Sequence, residues 1–189
     1  MPDFATVPAD VVSADETYLM HTYGRLPVEL VSAKGAVLTD STGKDYLDFL
    51  GGIGCASLGH CHPAVVAAVR DQAERLWQVG NYFYIENRNE AAQAISGLLS
   101  AVTDESGHVE GSTGTTWRTF FGNSGAEANE GAIKVARRWG EVKLSGAAGI
   151  VSAHKSFHGR TLATLAATGQ NVFHKSFQPL PAGFASVDL

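Results

Sequence analysis

Apolar residues recur at the spacing of a helix in three stretches of the chain, and this pattern predicts three amphipathic helices. Pro63 opens the first of them, at the position that proline favours. A shorter helix is predicted over 161–167, and another over 14–21 with Ser13 as its N-cap and Glu16 three residues on. The three apolar stripes are Val65, Val66, Val69, Ala73 and Leu76; Ala91, Ala94, Ile95 and Leu98; and Ala128, Ala132, Ile133 and Ala136.

Short runs of β-branched and aromatic residues predict the strands. Residues 29–39 and 44–50 are expected to form a hairpin around the turn residues 40–43, whereas the glycine-rich stretches 51–60 and 103–115 are expected to be loops. Later strands are predicted at 116–121 and 148–153, with the start of another at 184–189. This β–α alternation from residue 116 onward indicates an α/β fold with a parallel sheet and crossover helices.

Residues 120–140 read as a strand, a tight turn and a helix. Ser124 and Glu127 have the spacing of a capping box, and Gly125 would let a ligand come close to the backbone. Because the first turn of a helix has N–H groups without helical partners, this element could hold a phosphate or a carboxylate. An ordinary capped helix is the alternative, and neither a Walker A loop nor a G-x-G-x-x-G motif is present.

The stretch 156–161, SFHGRT, follows the predicted strand 148–153. It places the flat ring of Phe157, the imidazole of His158 and the guanidinium of Arg160 around Gly159. Ligands of parallel sheets bind beyond the carboxyl ends of the strands, so this stretch and the turn at 122–125 are expected to face one cavity. A surface arginine beside a core phenylalanine is the alternative.

Composition narrows the classes of function. The 189 residues carry a net charge of −5, which gives no basic footprint for nucleic acid. No signal peptide is evident at the N-terminus, and no apolar run approaches the length of a membrane span. Two cysteines do not form a disulfide framework. We therefore expect a cytoplasmic protein. The chain ends in what the pattern predicts to be the start of a strand, which suggests a longer protein.

Several further residues could be functional, although structural roles are expected for them. His60, Cys61 and His62 are poorly spaced for one metal ion, so no metal site is predicted. Cys55 and Cys61 are expected to be small buried residues. The aromatic group Tyr82, Phe83 and Tyr84 is expected in the core or at a subunit contact.

The motifs GNSGAEANEGAIKVAR and VSAHKSFHGRTLATLAATG, with GHCHP upstream, resemble the pyridoxal-phosphate-dependent class III aminotransferases of fold type I. The resemblance extends from about Tyr23 to the end of the chain. It implies pyridoxal 5′-phosphate as cofactor, with Ser124, Gly125 and Ala126 at its phosphate and Phe157 stacked on its ring. It also implies that Arg160 binds the substrate's α-carboxylate, that Tyr23 contacts the substrate, and that Gly52 and Ile53 approach the site.

The resemblance also implies parts that this sequence does not contain. The family's Schiff-base lysine and the carboxylate that pairs with the pyridine nitrogen are expected beyond Leu189. None of the six lysines here, Lys155 included, stands in the matching context. Residues 1–75 would then be the first part of a small domain and 76–189 the first part of the large, cofactor-binding domain, in a homodimer with its active site at the interface.

The resemblance favours transfer of the ω-amino group of N-acetylornithine to 2-oxoglutarate, in arginine biosynthesis, with the chain as given inactive alone. Ornithine, succinylornithine and 4-aminobutyrate are alternative amino donors. Two alternatives of another class are a non-catalytic module that binds a phosphate ligand without the lysine, and a plain interaction protein.

Overall fold

The computed structural model describes residues 7–104 and 109–188. They form two compact units, Met1–Phe83 and Tyr84–Leu189. Outside the described residues lie 1–6, part of the predicted loop at 103–115 and the last residue of the predicted final strand. The division into the domains 1–75 and 76–189 stays a prediction.

The first unit contains a three-stranded antiparallel sheet in the order β1–β2–β3, with helices on either side of it in sequence. Its elements are α1 (Ala9–Tyr18), β1 (Leu30–Lys34), β2 (Val37–Asp40), β3 (Asp45–Leu47), the single turn α2 (Gly51–Gly54) and α3 (Pro63–Arg75).

Two predictions for this unit are wrong in detail. The expected strand 29–39 is two strands, because Gly35 takes a φ of +58° and reverses the chain between β1 and β2. The expected helix 14–21 is α1, which begins after Pro8, so that Ser13 lies inside it. The turn between β2 and β3 and the start of α3 at Pro63 are confirmed.

The second unit combines a β-hairpin with a small parallel sheet. Its elements are α4 (Glu86–Ser100), β4 (Ala101–Thr103), β5 (Val109–Ser112), α5 (Gly125–Lys143), β6 (Ile150–Ala153), α6 (Leu162–Ala167), a 3₁₀ turn (Asn171–Phe173) and β7 (Phe184–Val187). Strands β6 and β7 pair in parallel, from Ile150 opposite Phe184 to Ala153 opposite Val187. The predicted parallel pairing with a crossover is therefore confirmed.

The predicted strand 116–121 is wrong. No strand pairs with this segment among the described residues, and the Trp117 N–H donates to Ser96 Oγ of α4 at 3.0 Å. Instead, β4 and β5 form an antiparallel hairpin where the sequence predicts a loop.

The buried core of the described residues is small. Its buried apolar side chains are Ile133, Leu165 and Ala167, and strand β6 exposes Val151. Cys55 and Cys61, expected to be buried, are exposed, as are Tyr82, Phe83 and Tyr84, which therefore form no core in this chain. The sheets of two and three strands are too narrow to cover these side chains.

Candidate active site at the N-terminal end of helix α5

Helix α5 begins with the predicted cap. Ser124 has an extended backbone, and its Oγ accepts a hydrogen bond from the Glu127 N–H at 3.2 Å. The Glu127 carboxylate in turn accepts from the Asn123 N–H at 2.6 Å, one residue earlier than in a standard capping box. The helix itself supplies no acceptors for the amides of Gly125 and Ala126, which point out of the helix at the positive end of its dipole.

The space beside this helix end suits a ligand. A methyl group added to Gly125 would meet no atom within 4 Å, so the backbone of the first turn borders open space. The backbone amide of Ala126 belongs to this first turn. Partial positive charge and outward N–H groups at such a place favour a phosphate or a carboxylate.

The loop after β6 packs directly onto this helix end. Gly159 has a φ of +132°, and a methyl group there would lie 2.7 Å from Ala126 Cβ and 3.0 Å from Ala126 Cα. Asn129 Nδ2 also donates to the His158 carbonyl at 2.8 Å, and Thr161 Oγ1 donates to Glu130 Oε1 at 2.6 Å. The turn at 122–125 and the loop at 156–161 are thus neighbours, as the sequence predicts.

A layer of buried hydroxyl groups supports the loop from the other side. Thr168 is buried, and its Oγ1 accepts from the His158 N–H at 3.0 Å and donates to the Thr164 carbonyl at 3.0 Å. The Ser156 Oγ accepts from the Gly169 N–H at 3.2 Å. The sequence analysis did not single out Thr164 or Thr168, and only their positions, within the apolar stretch 162–167 and directly after it, could have indicated that they are buried.

Phe157 and Arg160 lie together on the open side of the loop. The Phe157 ring is 53% exposed and meets the Phe173 ring edge-on, with centroids 6.0 Å apart. The Arg160 guanidinium carbon lies 5.3 Å from the Phe173 centroid and 6.0 Å from that of Phe157. An exposed aromatic face and a cation can therefore receive a planar, anionic ligand. Phe173, which belongs to this arrangement, was predicted only as part of a loop.

The remaining predicted site residues lie in the first unit. Tyr23 is exposed and lines a groove with His21 and Arg25, and its role stays a prediction. Gly52 and Ile53 form the turn α2 with φ values of +61° and +59°, an uncommon conformation for isoleucine. Within the described residues, no group of three or more His, Cys, Asp or Glu side chains could hold a metal ion.

Two carboxylates in the first unit have lowered pKa values. His60 Nε2 lies 2.7 Å from Asp48 Oδ2, and this contact, with the N–H groups of Gly51 and Leu50, lowers the pKa of Asp48. Burial opposes ionisation of Asp40, but hydrogen bonds from Thr42, Tyr46 and Lys44 lower its pKa to about 2. These contacts give His60 and Asp40 structural roles at the ends of the β2–β3 hairpin.

The comparisons with known proteins agree on one family. Residues 18–189 match the family described as aminotransferase class-III. The acetylornithine aminotransferase of Caldanaerobacter subterraneus is 46% identical over 180 residues, which cover 95% of this chain and 42% of that protein. The acetylornithine aminotransferase of Methanothermobacter thermautotrophicus is 41% identical over 178 residues, covering 94% and 40%.

Solved structures give the same result. The ornithine aminotransferase of Toxoplasma gondii superposes with a TM-score of 0.82 at 29% identity, covering 95% of this chain and 39% of its own. A Bacillus anthracis aminotransferase superposes with a TM-score of 0.81 at 28% identity, covering 95% and 38%. The chain spans less than half the length of the relatives it matches. Among residues 7–104 and 109–188, the helices are all too short or too polar to cross a membrane.

Proposed function

Because this chain belongs to the class-III aminotransferase family, we propose that it forms part of a pyridoxal-phosphate-dependent enzyme that transfers the ω-amino group of N-acetylornithine to 2-oxoglutarate. The family and its fold type I architecture confirm the resemblance drawn from the sequence motifs, and pyridoxal phosphate is the family's cofactor. Amino acids and oxo acids are the substrates of such enzymes. The choice of N-acetylornithine, and with it arginine biosynthesis in the cytoplasm, follows the names of the most similar relatives.

The observation that carries this proposal is the contact between the helix α5 end and the loop 156–161. One surface combines the outward amides of Ser124–Ala126, the exposed ring of Phe157 and the guanidinium of Arg160. A phosphate, an aromatic ring and a carboxylate are what these three groups bind best. The residues present therefore fit the cofactor.

Each residue has a separate task in this proposal. Ser124–Ala126 hold the cofactor phosphate through backbone N–H groups, and Phe157 orients the ring by stacking. Arg160 binds the substrate's α-carboxylate and so determines which amino group reaches the reacting atoms. When bound, pyridoxal phosphate supplies the electron sink that amino transfer requires.

We further propose that the catalytic lysine and the residue that pairs with the pyridine nitrogen belong to a part of the enzyme outside this chain, and that the chain alone is inactive. The share of each relative that the chain covers supports this proposal. A homodimer with Tyr82, Phe83 and Tyr84 at its contact is proposed on the exposure of those three side chains.

Binding and turnover test the proposal separately. Equilibrium dialysis of this chain should find tighter binding of pyridoxal phosphate than of pyridoxal, because only the former has the phosphate. Turnover of N-acetylornithine with 2-oxoglutarate is expected from an enzyme of the relatives' length that includes this chain, and none from the chain alone.

The possible outcomes separate the alternatives. Equal binding of pyridoxal and pyridoxal phosphate would refute the phosphate site. Turnover by the chain alone would refute the proposal that the lysine lies elsewhere. Faster turnover of ornithine, succinylornithine or 4-aminobutyrate would replace the proposed donor. Phosphate-dependent binding without any turnover by the longer protein would favour a non-catalytic binding module.

A further inference from the structure

The carboxylate of Glu130 is joined to the residue that follows Arg160. Thr161 Oγ1 donates to Glu130 Oε1 at 2.6 Å, and the same hydroxyl lies 2.7 Å from the Oγ1 of the buried Thr164. We propose that Glu130 and Thr161 are positioning residues that fix Arg160 for the substrate's α-carboxylate. This inference rests on the proposed function, and it concerns residues to which neither the motifs nor the comparisons assign a role.

The backbone is held on both sides of Arg160. On the N-terminal side, the His158 carbonyl accepts from Asn129 and the His158 N–H donates to Thr168. On the C-terminal side, the Thr161 hydroxyl binds Glu130. Only Gly159 and Arg160 lie between these two points, so contacts with helix α5 and with Thr168 restrict the direction in which the Arg160 side chain leaves the backbone.

Helix α5 also carries the proposed phosphate site, one turn earlier. Ala126 and Glu130 are four residues apart, which places them on the same face of the helix, about 6 Å apart along its axis. Ala126 contacts Gly159, and Glu130 binds Thr161. A single rigid helix therefore determines the distance between the cofactor phosphate and the substrate carboxylate.

The chemistry of the contact suits this role. A hydroxyl that donates to a carboxylate makes a charge-assisted hydrogen bond, which is shorter and roughly twice as strong as one between neutral groups. Loss of this bond would leave the Thr161 end of the segment held only from helix α6 among the described contacts, by Thr164 and by the Leu165 N–H. The Arg160 guanidinium would then sample more directions, and carboxylates would bind more weakly, whereas the phosphate site would not change.

The test compares variants of the pyridoxal-phosphate-loaded enzyme of the relatives' length that includes this chain. Thr161→Val removes the hydroxyl at nearly constant shape, Thr161→Ser keeps it, and Glu130→Gln weakens the acceptor. Glu141→Gln is the matched control, since Glu141 is an exposed residue of the same helix and pairs only with the neighbouring Arg138 among the described contacts. Calorimetry measures the Kd of succinate, a dicarboxylate that cannot be turned over, and kinetics give KM and kcat for 2-oxoglutarate.

Loss of one charge-assisted hydrogen bond should raise the succinate Kd and the 2-oxoglutarate KM about tenfold in Thr161→Val, and by less in Glu130→Gln. The value of kcat should change by less than KM. Thr161→Ser should restore both constants to within about twofold of the wild type, a shift of less than 0.5 kcal/mol. Glu141→Gln should change neither, and the affinity for pyridoxal phosphate should stay constant in all four variants.

Unchanged succinate binding in Thr161→Val would overturn the inference. If the melting temperature of this variant falls while succinate binding stays unchanged, the Thr161 hydroxyl has a purely structural role. Failure of Thr161→Ser to restore binding would also overturn it. An Arg160→Lys variant separates this result from the proposed function. Weak succinate binding in Arg160→Lys with normal binding in Thr161→Val removes only the positioning role, whereas normal binding in both removes the proposed role of Arg160 itself.

Discussion

Gly159→Ala is the substitution that tests the junction between helix α5 and the loop 156–161 most directly. The new methyl group would lie 2.7 Å from Ala126 Cβ and 2.7 Å from Thr164 Oγ1, both closer than real Cβ contacts. Alanine would also have to adopt a φ of +132°, which lies outside the regions that L-residues favour. The loop must therefore move away from the helix or the helix end must shift.

The close contact and the disfavoured φ together determine how far Gly159→Ala lowers the free energy of unfolding. Overpacking of a close contact costs about 1–3 kcal/mol, and a residue held in a disfavoured backbone region costs about 1–3 kcal/mol. Their sum is about 2–6 kcal/mol. The loss of stability cannot exceed the cost of releasing the loop from the helix, which breaks the hydrogen bonds Asn129–His158 and Thr161–Glu130. We expect the free energy of unfolding to fall by about 3 kcal/mol.

Urea denaturation of the chain, followed by far-UV circular dichroism, measures this change as a lower midpoint at a constant slope. Gly97→Ala is the matched control. It introduces the same methyl group inside helix α4 of the same unit, where no atom lies within 4 Å and φ is not positive. Because glycine is unfavourable inside a helix, this control should raise the free energy of unfolding by about 0.8 kcal/mol. A Gly159→Ala variant as stable as the wild type, beside a stabilised control, would refute the packing of loop on helix described here.

Two further substitutions test the cap of α5 and the buried carboxylate of the first unit. Ser124→Ala removes the acceptor of the Glu127 N–H, so we expect the free energy of unfolding in urea to fall by about 1 kcal/mol and pyridoxal phosphate to bind more weakly. Ser124→Asp should keep the cap but repel the phosphate. Equal stability of Ser124→Ala and the wild type would contradict this prediction. The folded-state pKa of Asp40 is about 2, below the ordinary value of 3.8, so its contribution to stability is present above about pH 4 and is lost as the pH falls towards 2. Asp40→Asn should lower stability at pH 7 and reduce the loss of stability between pH 4 and pH 2. Thermal unfolding at pH values across that range measures this loss. The same loss in the variant and the wild type would exclude Asp40 as the source of the acid sensitivity.

The sequence predicted the elements whose signals are local. Pro63 at the first position of α3, the cap of α5 at Ser124 and the apolar run that forms β6 are all found where the pattern places them. The adjacency of the turn at 122–125 and the loop at 156–161 was also predicted, but from a strand at 116–121 that the structure does not form; contacts from helix α5 hold the two together. The contacts that hold this adjacency, from Asn129 and Glu130, are made by ordinary helix residues without any motif.

The wrong predictions concern segments whose conformation depends on distant partners. Residues 116–121 have the composition of a strand, but they pair with no strand among the described residues, and the Trp117 N–H donates to Ser96 of α4 instead. Strands β4 and β5 were missed because polar, glycine-rich residues form them and only their pairing makes them strands. In such segments the tertiary contacts decide the structure and the local preference does not.

The exposed side of helix α5 bears on the proposal that this chain is part of a larger enzyme. Val135 is 71% exposed and Trp139 is 59% exposed, although Ile133 on the opposite side of the same helix is buried. With Phe120, they border an apolar groove of about 930 Å³. A helix that is apolar on more than one side is typically buried on those sides. The two-stranded sheet of β6 and β7 is too narrow to cover both sides of α5. The relatives are more than twice as long as this chain, and we expect the residues that cover Val135 and Trp139 to lie, like the proposed catalytic lysine, in the part of the enzyme outside it.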